Sequence, residues 1–271
     1  MSYRAIATDL DGTLLRTDKS VSPRTRAAVD AAEDAGLLFV IATGRPPRWI
    51  PPVVEALGER GLVVCANGAS VYDPARHELV ARTDLSPAVA GELIDELAEV
   101  HPEALFGLEQ GFEFSVDSAI RDRPDDFKAM TSWQLPGIRI GPIRDFLDQP
   151  VTKLIVRLPP EVPPGTADEV QRLVGDRALV THSTTEWFLE LSEPTVHKAA
   201  TVERLLEGSG IAASEVVAFG DMPNDLELIE WAGLGVAVAN AHPLLREKAD
   251  EVTASNDDDG VAQVIERLLA P

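Results

Sequence analysis

Ala5-Ile6-Ala7-Thr8-Asp9-Leu10-Asp11-Gly12-Thr13-Leu14-Leu15 is the stretch on which the reading of the fold turns. A short apolar run stops at a carboxylate, a second carboxylate follows two positions later, and glycine then lets the chain reverse. Three more runs repeat this pattern of apolar residues closed by a polar residue and a turn: Leu38–Thr43, Leu62–Asn67 and Val216–Asp221. Near-continuous apolar runs of this length are expected of strands buried on both faces of a parallel sheet. Helical patterns lie between them. Ser22-Pro23 supplies an N-cap and a first-turn proline, Ala28, Ala31, Ala32 and Ala35 give an apolar stripe, and Gly36 stops the helix. Val202, Leu205 and Leu206 form a similar stripe between Val196 and Gly208. Strand–helix alternation with right-handed crossovers predicts an α/β fold with a doubly wound, Rossmann-like parallel sheet. Ligands bind beyond the carboxyl ends of the strands in such sheets, where Asp9, Thr43, Asn67 and Asp221 would converge.

The middle of the chain has a different texture. Val71–Asp73 and Leu79–Ala81 flank Pro74-Ala75-Arg76 and predict a hairpin. Ser86-Pro87 opens a helix with Leu93, Ile94, Leu97 and Val100 on one face. Short strands are expected around Phe112–Val116, Leu154–Leu158, Ala178–Thr181 and Trp187–Leu191, with breaks at Pro159-Pro160 and Pro163-Pro164. Arg121–Pro150 shows no period and receives no assignment. The division expected is a core of residues 1–81 and 189–271 with an inserted α+β domain at 82–188.

Composition narrows the function classes. With 271 residues, 45% apolar and 25% charged, there is material for a sizeable core. No apolar run approaches a membrane span, and Asp9 and Asp11 interrupt the first one before it could serve as a secretory signal, so a cytoplasmic location is expected. Cys65 is the single cysteine, which excludes an internal disulfide and a cysteine metal cluster. A formal charge of −21 repels nucleic acid and anionic membranes, so neither is expected as a partner. The same field opposes an anionic substrate, so phosphate chemistry here would need a metal cation and a few placed basic residues. Lysines are scarce, standing only at 19, 128, 153, 198 and 248.

Taken alone, several candidates have ordinary explanations. Asp-Gly-Thr is a common turn, Thr43 a common strand end, Lys198 a common solvated helix residue, and Asn224 and Asp225 common helix caps. Their combination is not ordinary. Asp9-Leu-Asp-Gly-Thr13, Ala42-Thr-Gly-Arg-Pro46, Lys198 at a helix start and Gly220-Asp-Met-Pro-Asn-Asp225 together resemble the haloacid dehalogenase superfamily, most closely its Cof-like phosphatases with a large α/β cap. Asn67-Gly68-Ala69 and the tail from Asn240-Ala241 through Ser255-Asn256 to Gly260-Val261-Ala262 resemble that branch as well. Ala199 and His197 depart from its commoner residues without removing a reacting group.

The resemblance implies a phosphatase of small phosphorylated metabolites, sugar phosphates or phosphorylated cofactors, working through an aspartyl-phosphate. It implies Asp9 as nucleophile and Asp11 as general acid and base. It also implies Mg2+ held by the Asp9 carboxylate, the Asp11 carbonyl and the Asp221 carboxylate, and a cap that closes to exclude water. Thr43, Gly44, Arg45, Asn67, Lys198 and Asn224 are the implied phosphate and substrate contacts, with Asp225 orienting Lys198 or the metal waters. Asp11, set beside other carboxylates, is expected to resist ionisation. Loss of Lys198 is expected to cripple activity, by about 10²–10³ in rate, without unfolding the chain.

A phosphomannomutase-like mutase and a non-catalytic sugar-phosphate sensor are the alternatives, and a monomer or homodimer the expected assembly. Arg48, Glu109, Lys153 and Trp187 are weaker candidates for substrate contact. His77, His101, His182 and His242 lack metal-ligand spacing.

Overall fold

The computed structural model describes residues 3–58, 61–123, 125, 137–182 and 186–270. They fall into two compact units. The first holds the chain up to Arg45, Ile50–Val80 and everything from His197 onward, and the second holds Pro46–Trp49 and Ala81–Val196.

The chain opens with β1 (Ala5–Thr8), α1 (Pro23–Asp34), β2 (Leu38–Ala42), α2 (Pro51–Leu57), β3 (Val63–Cys65), β4 (Ser70–Asp73) and β5 (Glu78–Arg82). The insertion follows with α3 (Pro87–Val100), β6 (Leu105–Gln110), β7 (Glu113–Asp117), β8 (Ile138–Gly141), β9 (Lys153–Arg157), α4 (Thr166–Val174), β10 (Leu179–Thr181) and β11 (Phe188–Ser192). Then come α5 (Lys198–Glu207), β12 (Val216–Gly220), α6 (Leu226–Trp231), β13 (Leu234–Ala237), α7 (Pro243–Lys248), β14 (Glu251–Val252) and α8 (Gly260–Leu269).

The first sheet has the order β14-β13-β12-β1-β2-β3-β4-β5. It is parallel from β14 through β3 and turns antiparallel at the β3–β4 pair. Every residue of β1 and β12 is buried, as strands covered on both faces require. The order reverses at β1, whose neighbours are β2 on one side and β12 on the other, so the loops after β1 and β12 leave the sheet side by side. The expected α/β core is therefore present. The Ser22 side chain caps α1 by accepting from the Thr25 N–H, and Thr25, Ala28, Val29 and Ala32 are the buried face.

The second sheet has the order β10-β11-β9-β6-β7-β8, antiparallel except for β7 with β8. Its period of two sorts the side chains. Leu154, Val156, Leu189 and Leu191 join a core with Leu93, Ile94 and Leu97 of α3 and with Val170 and Val174 of α4. Ile155 points the other way, into a separate cluster with Leu105, Phe114, Val116 and Ile120.

The second unit runs on to Val196, past the expected limit at 188, because β11 pairs with β9 and β10 and carries Leu189 and Leu191 into that unit's core. It also takes in Pro46–Trp49. Strand β6 and helix α4 were not marked by sequence pattern, and the unassigned Arg121–Pro150 contains β8 and a short 3-10 turn at Ile143–Phe146, part of that segment lying outside the described residues. Val100, expected on the apolar face of α3, is exposed at its last turn. Among the described residues no helix is long and apolar enough to cross a membrane. Replacing Leu97, fully buried in the second unit, with alanine is expected to cost about 2–5 kcal/mol in urea denaturation; a loss well below that range would show that α3 does not supply this core.

Candidate active site

The turn after β1 is shaped by a glycine that has no substitute. Gly12 has φ +85°, and a Cβ there would lie 2.4 Å from Asp221 Oδ2. The loop after β12 can therefore bring its carboxylate against the backbone of the first turn. Thr13 Oγ1 donates to Asp221 Oδ1 at 2.9 Å. Asn240 Nδ2 donates to Gly12 O at 2.8 Å, and the His242 N–H donates to Asp221 O at 2.7 Å, so both turns are tied to the segment after β13.

Helix α5 delivers Lys198 at its first turn. His197 caps that helix through the Ala200 N–H, and Gly68, at φ +109°, leaves room where a Cβ would meet His197 O at 2.6 Å. The Lys198 ammonium donates to Asp9 Oδ1 and to Asp225 Oδ1, both at 2.6 Å. All three side chains are buried. Asp225 uses its other oxygen to accept the N–H groups of Asp221 and Met222, each at 3.1 Å. Its side chain thus orients Lys198 and the Asp221 turn and does not cap α6. Gly220 makes this possible, since a Cβ there would fall 2.5 Å from Asp225 Cβ.

A second set of contacts surrounds Asp11. Arg45 grips its carboxylate with Nε on Oδ2 at 2.6 Å and Nη2 on Oδ1 at 2.8 Å, and Lys19 Nζ adds a third contact to Oδ1 at 2.8 Å. Arg45 is itself buried. Its N–H donates to Thr43 Oγ1 at 3.1 Å, Thr43 O accepts from the Asn67 N–H at 3.0 Å, and Asn67 Oδ1 accepts from Asn224 Nδ2 at 3.0 Å. Asn67 adopts φ 58°, a left-handed conformation asparagine tolerates better than most residues. Gly44 lies where a Cβ would approach Asn67 Oδ1 to 3.0 Å.

Electrostatics separates the carboxylates. Burial pushes Asp9 up to about 8, against the pull of Lys198 and with the repulsion of Asp225 and Asp221. Burial and the Asp225 charge push Asp221 up to about 6. Lys198 is held above its ordinary value because Asp225 and Asp9 outweigh its desolvation. Burial raises Asp11, but the Arg45 and Lys19 contacts overcome it and leave the carboxyl below its usual range. That corrects the expectation that Asp11 resists ionisation: the neighbours that matter to it are cations, not the other carboxylates. The placement of Lys198 adds a stability cost to its loss, since removing one partner of a buried charge set costs about 3–5 kcal/mol.

Asp9, Asp221 and Asp225 each offer a carboxylate oxygen within 4.8 Å of the others. Three buried carboxylates against one ammonium leave negative charge that protons or a cation must offset. The donors are hard oxygens, which suits a divalent ion such as Mg2+ or Ca2+, and Asp9 and Asp221 are the better ligands because both Asp225 oxygens are already engaged.

The weaker candidates lie in the other unit. Arg48 pairs with Glu109 and sits near the Trp49 and Phe114 rings, Lys153 Nζ donates to Glu190 at 2.7 Å, and the Arg157 guanidinium lies 4.0 Å from the Trp187 ring centroid. Among the described residues no histidine joins a metal-binding group; Nδ1 of His77 is 2.9 Å from the Tyr72 hydroxyl, and His242 caps α7. Lys19 is the site residue that sequence reasoning missed. Its scarcity as a lysine, close after the second carboxylate, was the available signal.

Divalent-cation binding must expel the protons this cluster holds near neutrality, so affinity is expected to climb between pH 6 and pH 8 and then level. Calorimetric titration in buffers of different ionisation enthalpy would register the proton release. Equal affinity across that range would contradict the protonated cluster.

The haloacid dehalogenase-like hydrolase family model matches residues 6–265. A phosphoglycolate phosphatase of Methanothermobacter thermautotrophicus is 31% identical over 98% of this chain and 99% of its own. The 5-amino-6-(5-phospho-D-ribitylamino)uracil phosphatase YitU of Bacillus subtilis is 28% identical, over 98% and 97% respectively. Among solved structures, a haloacid dehalogenase-like hydrolase from Bacteroides thetaiotaomicron superposes with a TM-score of 0.81 at 28% identity, covering 99% of this chain and 100% of that one.

Proposed function

From the premise that this chain belongs to the haloacid dehalogenase-like hydrolase family, we propose that it hydrolyses phosphate monoesters of small polar metabolites, with Asp9 as the nucleophile. The observation that carries the reading is the Asp9 carboxylate held by the buried Lys198 ammonium beside Asp221, with Asp11 two residues away on its own pair of cations. The relatives named for phosphoglycolate and for a phosphorylated ribitylaminouracil support a phosphate ester as the substrate class.

An Asp9 oxygen attacks phosphorus, the ester P–O bond breaks, and the proton that the leaving alkoxide takes up comes from Asp11. In the second half, Asp11 receives a proton from water as that water displaces Asp9 from phosphorus, yielding inorganic phosphate and the free carboxylate. Lys198, the Thr43 hydroxyl, the Gly44 N–H and Arg45 are the groups that take the phosphoryl oxygens, and Asn67 with Asn224 fixes the loop that carries Thr43. Arg45 presents a fork suited to phosphate, so an incoming dianion competes with Asp11 for it and frees Asp11 Oδ2, which Lys19 does not touch, to carry the proton. The Asp9 and Asp221 carboxylates with the Asp11 carbonyl would hold Mg2+, which when bound offsets charge on the phosphoryl oxygens. Asp225 does not touch substrate in this scheme; it positions Lys198.

Asp9→Asn is expected to abolish release of phosphate from a panel of monoesters assayed with Mg2+, and turnover near the wild-type rate would overturn the nucleophile. Lys198→Met is expected to lower kcat by about 10²–10³ and to lower Tm as well. An unchanged Tm would contradict the buried three-way pairing.

A further inference from the structure

Lys19 reaches Asp11 from a costly backbone conformation. Its φ is 67°, in the left-handed region that L side chains rarely adopt. The turn that imposes this is closed by the Arg16 N–H on Ser20 O at 3.0 Å and the Lys19 N–H on Arg16 O at 2.9 Å. Asp18 Oδ1 braces it by accepting the Ser20 N–H and hydroxyl at 2.9 and 2.5 Å. The same turn is pinned from outside. The Thr17 N–H and hydroxyl donate to the two oxygens of Asp257 at 2.8 and 2.7 Å, Arg16 pairs with Asp259 at 3.1 Å, and Asn256 Nδ2 donates to Leu15 O at 2.9 Å. A strained residue persists where its surroundings over-determine it, and such residues gather at functional sites. Glycine would relieve the strain at 19, yet the position carries a long cation whose head meets a carboxylate oxygen already held by Arg45.

We propose that Lys19 is a positioning residue for phosphate-ester hydrolysis: it fixes the orientation of the Asp11 carboxylate and continues to do so when phosphate draws Arg45 away. The proposal rests on the reading of Asp11 as the proton-transfer group. Arg45 has two claimants, because its fork fits either a carboxylate or a phosphate. Lys19 is a point charge on a flexible stem, fastened to a braced turn, and it needs no fork to keep hold of Oδ1. A carboxylate released from both would sample orientations out of reach of the proton it must move.

The test is a double-mutant cycle on the full chain with p-nitrophenyl phosphate and Mg2+, reading kcat, KM and Tm for wild type, Lys19→Gly, Lys19→Arg, Asp11→Asn and the Asp11→Asn/Lys19→Gly pair. Lys19→Gly is expected to hold or raise Tm, because left-handed strain is relieved, while lowering kcat about 10–100-fold with KM nearly unchanged. Lys19→Arg is expected to recover most of kcat, and Lys19→Gly is expected to add nothing once Asp11 is already Asn. Wild-type kcat in Lys19→Gly, an equal loss in both backgrounds, a change confined to KM, or a fall in Tm that Lys19→Arg repairs without restoring kcat would each overturn the proposal and leave the reading of Asp11 standing. Wild-type kcat in Asp11→Asn would instead overturn that reading, and the proposal with it.

Discussion

A single ammonium group shared by two buried carboxylates holds the site together. Lys198 bridges Asp9, at the end of β1, and Asp225, just before α6, so one cation ties two loops and the first turn of α5. Burial makes such pairing obligatory, since an unaccompanied charge at this depth would lose far more in hydration than the fold could offset. The Asp225 carboxylate extends the arrangement into the backbone of the Asp221 turn. What remains uncompensated is negative charge on Asp9 and Asp221, and that residue of charge is what recommends a divalent cation.

Around this centre the glycines mark where loops come closer than any side chain allows. Gly12 against Asp221, Gly220 against Asp225 and Gly68 against His197 are three such approaches, each under 3 Å for a notional Cβ. Each sits beside a polar residue of the site. The motifs therefore alternate reacting groups with glycines because the carboxylates must reach across from a neighbouring turn.

Much of this was legible in the sequence. The four apolar runs ending in Asp9, Thr43, Asn67 and Asp221 fixed the parallel core, because buried strands must be apolar throughout and their carboxyl ends must carry the polar groups. The insertion was harder to read. Its strands range from fully buried, as β6 and β9 are, to partly exposed, as β8 and β10 are, and its boundary depends on β11 pairing with β9, a long-range choice that no local pattern announces. Burial was also hidden: nothing local says that Arg45 turns inward to Asp11 or that Lys198 is enclosed. Lys19 escaped notice because its importance comes from a left-handed turn that brings it back by eight residues.

The bracing of the first turn by residues 256–259 has a consequence for how the protein comes into being. A chain made from its N-terminus exposes Asp9, Asp11 and their apolar strand well before β12 exists to pair with β1, and the loop after β1 gains its Asp257 brace only after 240 further residues. Until then the nascent polypeptide carries an unfinished sheet edge and a loose acidic loop, the condition in which chaperones are most needed. The first turn thus takes its final shape from residues far along the polypeptide, and a fragment ending ahead of Asn256 would lack the contacts that brace Leu15 and Thr17.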